Sequence, residues 1–428
     1  MSDKYLKTYF FLLFSLIPIS IIVGPAVSLT NILLIDMSFI AYVFYKKEYK
    51  FLSNKTVRLL IILYLYLILN SIMAQEFLIG ANRNIGFIRF IILFVSFNYF
   101  FYHIKFFDKI FIIWFITLIV LCLDVYIESF TGKNILGYGG VEYGSRIVSF
   151  FKDEPIVGGY INGFYLLIIG YIYTVYKEYP GKYKIFLLFL SLFIFSAILL
   201  TGERSNTIKA FIGFILFFLI NDNLKFQQKI FSIFSLIIAV TILYIASDFL
   251  KLRYSGQIFD KHYKASPEYL AEYNIDKTIS KEKIVKYYNE NLYFKIYRSG
   301  YNVFRDHKLF GAGNKNYRIE TCEKTTNNIR YYCTTHPHQT YFEFLAEHGL
   351  IGSLILLFIF FNLIFSQFKN ILISKNNLQL GGFIYLLILF LPILPSGAFF
   401  NDYNLTIFWV NLSLMYAVDK KSNIFNII

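Results

Sequence analysis

Residues 333–365 read CTTHPHQTYFEFLAEHGLIGSLILLFIFFNLIF. The first half of this stretch gathers His336, His338, Glu343, Glu347 and Cys333. The second half is almost wholly apolar. Pro337 disfavours helix at His336, so a helix begins near His338 or Gln339 and runs on through Phe365, long enough to enter a bilayer. Glu343 and Glu347 then lie one turn apart. Polar, proton-active groups therefore sit where a membrane helix begins.

Outward from that point the same apolar character recurs along the chain. A spanning helix needs about 20 mostly apolar residues, and about a dozen runs approach this, from Tyr9–Val23 to Thr340–Phe365, Leu380–Leu394 and Leu405–Ala417. With 57% hydrophobic and only 16% charged residues, an ordinary soluble fold is excluded. The expected fold is an all-α integral membrane protein of about 12 transmembrane helices with one long periplasmic loop. Residues 1–130 and 131–246 are read as N-terminal and central transmembrane helices, the latter with short arginine-bearing external loops. Residues 247–339 form the long loop, with short helices expected over 267–273 and 281–288, and 340–428 form the C-terminal helices. The first run after Lys4 and Lys7 is read as an uncleaved signal anchor.

The formal net charge is +14, but the basic residues are spread among loops with no single basic face, which argues against a nucleic-acid role. Numbered from an inside N-terminus, Lys46, Lys47, Lys50, Lys105, Lys109, Lys225, Lys369 and Lys420 all fall in cytoplasmic loops, as the positive-inside rule requires. That orientation leaves Thr131–Glu154, Thr201–Asn206 and the long loop outside.

Several external groups carry candidate chemistry. Glycines and Arg146 share the loop 131–160. Arg204, in the tight link Thr201–Asn206, is held near the headgroup level, where a guanidinium pairs with a diphosphate or with Glu203. Lys209 follows in the next span. Arg298 and Arg305 are seven residues apart and share a helix face that suits either an anionic sugar-bearing ligand or anionic headgroups. Arg89 and Asp124 sit in apolar runs and face either a cavity or an ion-pair partner. Cys322 and Cys333 pair if the compartment is oxidising and are otherwise free thiols. A histidine is suited to take a proton from a sugar hydroxyl near neutral pH. His-x-His with no further strong ligand is a poor zinc pattern, so no metal is expected.

His338-Gln339, nine residues, then Gly349-Leu350-Ile351-Gly352 resembles the H-[NSQ]-x9-G-x-x-G pattern of the O-antigen ligase and O-antigen polymerase superfamily. The segment FRDHKLFGAGN at 304–314, with Lys308 where that family usually has proline, resembles its D-H-P-L-F-G-x-G, and TGERS at 201–205 resembles its short arginine-bearing loop. The resemblance implies a glycosyltransferase of the bacterial inner membrane, its site facing the periplasm. It would move a glycan from an undecaprenyl diphosphate donor to lipid A-core, without cofactor. Joining lipid-linked repeat units, as a polymerase does, is the alternative. The resemblance nominates Arg204, Arg298 and His338 first, as catalytic, and then Arg146 and His336 as substrate-binding; Arg305, on the basic helix face, and Glu343, on the helix after the histidines, are added as substrate-binding candidates from the residues themselves. A transporter of lipid-linked sugars without chemistry is a third reading, although the broken-helix repeats common in transporters are not seen.

Overall fold

The computed structural model describes residues 3–103, 107–139, 146–152, 154–176, 181–256, 292–323 and 330–426. The short helices expected over 267–273 and 281–288 lie outside these. Helices α1 (Asp3–Ser15), α2 (Ile17–Val23), α3 (Pro25–Lys46), α4 (Lys55–Ile72), α5 (Phe77–Gly86), α6 (Ile88–His103) and α7 (Phe107–Thr131) form the first part of the chain. Then come α8 (Val157–Val175), α9 (Gly181–Leu200), α10 (Arg204–Ile220), α11 (Phe226–Ala246) and the short α12 (Asp248–Lys251), which runs into a π turn over Leu252–Gly256. The remaining elements are α13 (Leu292–Asp306), α14 (Tyr317–Glu323), α15 (Thr340–Phe365), α16 (Phe368–Ser374), α17 (Asn377–Leu389) and α18 (Asp402–Ala417).

Each of the dozen apolar runs is helical, but they do not make a dozen full spans. Eight stretches among the described residues are long and apolar enough to cross a membrane, or nine if the bent α1–α2 pair is one span. The shortfall lies in α10, α17 and α18, of 17, 13 and 16 residues. At about 1.5 Å rise per residue, 13 residues reach only about 20 Å of a hydrocarbon core about 30 Å thick. Pro392 and Pro395 explain why α17 stops early and the run expected to reach Leu394 does not: each lacks an amide hydrogen and neither can continue the helix. Beyond α17 the chain is irregular over 390–401, and this segment packs on α15.

One contiguous apolar core joins the helices from Phe10 to Ile424. Its tightest seam is α8 against α17. A Cβ on Gly381 would meet the Leu166 carbonyl oxygen at 2.0 Å, and one on Gly170 would meet that of Asn377 at 2.2 Å. Small residues are what let membrane helices approach this closely. A second, small cluster of Val303, Ala312, Tyr317, Tyr331 and Ala346 holds α13 and α14 onto the start of α15.

Candidate active site at one end of the bundle

The two glycine-bearing motifs meet through their backbones. Gly349 lies inside α15 with φ 64° and ψ −170°, a break that splits the helix. Into that break fits the segment 308–313. The Leu350 and Ile351 amides donate to the carbonyls of Lys308 and Leu309 at 2.8 and 3.1 Å, and the Ala312 and Gly313 amides donate to those of Ala346 and Glu347, both at 2.9 Å. The buried carboxylate of Glu347 accepts from the amides of Lys315 and Tyr317. Lysine at position 308, where the resemblance leads one to expect proline, disturbs nothing here: the side chain is exposed and the carbonyl is the bonded group.

His338 stands at the head of α15. Its backbone is left-handed, φ 54°, and its carbonyl accepts from the Ser396 amide at 2.8 Å. Gln339 caps the helix through the Phe342 amide at 2.9 Å. The rings of His336 and His338 lie 3.9 Å apart, centre to centre. Burial pushes both imidazoles below their ordinary 6.5. His336, which also feels His338, falls to about 3. Both rings therefore favour the neutral form, and His336, at about 3, is much too weak a base to hold a proton near neutral pH. Glu343 is buried and committed to the backbone, its oxygens accepting from the Phe399 amide at 2.8 and 3.0 Å. It fixes the 390–401 segment beside His338, which is a different task from facing solvent or substrate. Cys322 and Cys333 form a disulfide with Cα atoms 4.4 Å apart, closing the loop just before His336. Reduction should lower the melting temperature in detergent by the equivalent of about 3 kcal/mol on a loop-entropy basis, readable by thermal unfolding with and without a thiol reductant.

α13 packs on α15 through Ile296, Ser299, Gly300, Asn302 and Val303, which are buried. Arg298 and Arg305 lie on the opposite, exposed face. The Ser299 hydroxyl accepts from the Tyr332 amide at 3.0 Å, and Tyr297 donates to the Ile393 carbonyl at 3.3 Å. Arg298 is thus held on a helix fixed to both walls around His338.

A second set of groups lies at the same end of the bundle. Glu203 reaches across to α8, accepting from the Gly158 and Gly159 amides at 2.6 and 3.2 Å and from the Asn206 side chain at 2.7 Å. Its carboxylate caps the positive end of that helix; no ion pair with Arg204 forms among the described residues. Desolvation raises Glu203 to about 7. Asp124 and Glu128 also hold backbone: Glu128 accepts from Val148 and Ser149 at 3.0 and 2.6 Å, and Asp124 from Ile135 at 3.0 Å. They shape the loop that presents Arg146, and the Ile147 amide ties that loop to the Thr201 carbonyl at 3.4 Å.

The third arginine here was not among the residues singled out from sequence. Arg253, on the π turn, is only 9% exposed and donates from Nε and Nη2 to the Gly202 carbonyl at 3.3 and 2.8 Å. Burial first, then the neighbouring charges of Arg204 and Arg146, pull it down to about 10. The charges of Arg204 and Arg146 thus reach Arg253, and that of Arg146 reaches Glu203, whose carboxylate is already bonded to backbone. No sequence motif marked Arg253, which reads as part of a polar segment just beyond a span.

The two sets are linked through α18. Tyr403 donates to the Ile156 carbonyl at 3.0 Å, beside Glu203, and its neighbour Asp402 pairs with Arg83 at 3.2 Å and with Arg89. Arg83 also binds the Phe400 carbonyl at 2.5 Å. Arg89 thus has the ion-pair partner its place in an apolar run requires.

Residues 188–358 match the family model described as O-antigen ligase. This stretch of the chain is similar to the O-antigen ligase family. No curated protein matches the chain. The matched stretch runs from α9 into α15 and takes in Arg204, Arg253, Arg298 and His338. Arg146 and the 390–401 wall lie outside it and complete the same end of this multi-pass membrane protein. Among the described residues no group of three or more His, Cys, Asp or Glu is arranged to hold a metal ion.

Proposed function

We propose that the protein transfers a glycan from a polyprenyl diphosphate donor to an acceptor sugar hydroxyl at the periplasmic face of the inner membrane, as an O-antigen ligase acting on lipid A-core. The single observation that carries this reading is the cluster of Arg146, Arg204 and Arg253. It gathers positive charge at one point, and a diphosphate supplies two negative charges in a geometry that guanidinium groups match. The acceptor oxygen bonds to the anomeric carbon as that carbon's bond to the diphosphate oxygen breaks. The leaving group departs on its lipid, its charge offset by the arginines. His338, neutral and next to a second neutral imidazole, takes the hydroxyl proton. Arg298, on α13, is assigned to orienting the donor or its glycan. A polymerase would use the same groups with a second lipid-linked glycan as acceptor, and the product of an in vitro transfer assay separates the two.

The pH dependence follows from two opposite shifts. Glu203 takes up a proton as pH falls through about 7, which removes a negative charge whose field reaches Arg146, so affinity for an anionic donor should rise from pH 8 to pH 6.5. Burial lowers the His338 imidazole from its ordinary range, so the acid fall in turnover should lie at lower pH than an ordinary histidine would give. Measured as kcat/KM against pH, the rise near 7 should vanish in Glu203→Gln while the acid fall stays. An unchanged rise in that variant would contradict the assignment.

A further inference from the structure

The bend between α1 and α2 makes a groove of about 370 Å³, lined by residues of α1, α2 and α3 that include Leu13, Leu16, Ile19, Val23, Val27 and Leu34. The bend is built rather than incidental. Pro18 has no amide hydrogen to give the Phe14 carbonyl one turn back, and Trp114 donates to that carbonyl at 3.1 Å instead. The Pro18 carbonyl in turn receives the Tyr160 hydroxyl at 3.0 Å. Neighbouring helices thus satisfy the broken backbone, as a kinked helix in a bilayer requires, and they fix α2 from behind at 44° to α1.

The groove offers only aliphatic surface. Its polar residues are turned to the backbone: Ser20 donates to Ile17, Thr30 to Ala26, and Asn31 to Leu13. In a chain that is 21% aromatic, no ring lines it. On its far side α2 packs against the 3₁₀ turn Ser149–Phe151, where Phe151 lies 5.4 Å from Tyr160, ring to ring. That turn closes the loop presenting Arg146 to the arginine cluster. The helix that walls the groove therefore also rests on the turn that follows Arg146 by three residues in sequence.

We infer that this groove seats the first isoprenoid units of the lipid-linked donor, so that tail and diphosphate are held together. The inference rests on the donor reading above and adds where the tail lies. It is tested by binding undecaprenyl diphosphate and farnesyl diphosphate to the purified protein in detergent, comparing wild type with Ala26→Trp, Val27→Trp and Arg253→Ala. Ala26 and Val27 are exposed in the groove, and two separate fillings guard against one failing to fold. The wild type should favour the long tail, and filling the groove should cut that preference about tenfold, since each buried methylene counts, with farnesyl diphosphate less affected. Arg253→Ala should weaken both ligands alike. A preference unchanged in both tryptophan variants would overturn the groove assignment and leave the donor reading standing. Failure of either diphosphate to bind the wild type would overturn the donor reading and the occupant assigned here with it. A photoreactive phospholipid that labels Val27 and is not displaced by undecaprenyl diphosphate would mark the groove as an ordinary lipid site and contradict the inference.

Discussion

Arg253→Ala should lower kcat/KM for glycan transfer by about 10²–10³-fold, the usual loss when one preorganised donor to a developing charge is removed. The expectation comes from its surroundings. Arg253 is 9% exposed, anchored twice on the Gly202 carbonyl, and close enough to Arg204 and Arg146 for their charges to depress it. Such a group is positioned without further cost when a diphosphate arrives. Arg253→Lys should recover only part of the loss, because an ammonium cannot hold Gly202 and an anion in the same planar geometry. Initial rates at several donor concentrations decide the matter. A loss confined to KM would mean that the charge binds donor and transition state equally.

Gly349→Ala should be the most damaging small substitution. At φ 64° and ψ −170° the backbone lies in a region that is essentially glycine-only, with a strain of about 1–3 kcal/mol for other residues. A Cβ there would also lie 2.4 Å from the Leu309 carbonyl carbon and 2.5 Å from the Gly311 nitrogen. Those are backbone atoms of the strap that fills the helix break, and they cannot move aside without breaking the Leu350 and Ile351 bonds to Lys308 and Leu309. The combined loss should exceed about 4 kcal/mol, seen as a large drop in melting temperature in detergent or as failure to accumulate. Gly311→Ala should behave alike, since its Cβ would meet the Glu347 carbon and the His348 nitrogen, each at 2.3 Å.

Legibility in the sequence divides along physical lines. Apolar runs announced every long helix, because burial in lipid is written in composition over about 20 residues. The same rule counts about a dozen runs where eight or nine described stretches are long and apolar enough to span, the difference being the shorter helices α10, α17 and α18. The His338 motif and the GAG segment were visible as strings, yet the reason for their glycines was not: it lies in backbone atoms of 308–313 and 346–351 meeting across the break. The roles of Glu343, Glu203 and Asp124 were likewise invisible. Each carboxylate looked available for substrate or ion pairing, and each is spent on backbone amides, those of Glu343 and Glu203 lying on segments remote in sequence. Arg253 was missed because its importance is a matter of neighbours, and nothing local sets it apart from the other basic residues beyond the spans.

The most direct test is transfer in vitro by the purified protein, with a polyprenyl diphosphate-linked glycan as donor and lipid A-core as acceptor, comparing wild type with His338→Ala. Glycan should appear on lipid A-core with the wild type and at least about a hundredfold less with the variant, the variant keeping its melting temperature and its affinity for the donor. Chain lengthening from donor alone would reassign the acceptor and make the protein a polymerase. Undiminished product from folded His338→Ala, or no covalent product from the wild type, would contradict glycan transfer driven by His338.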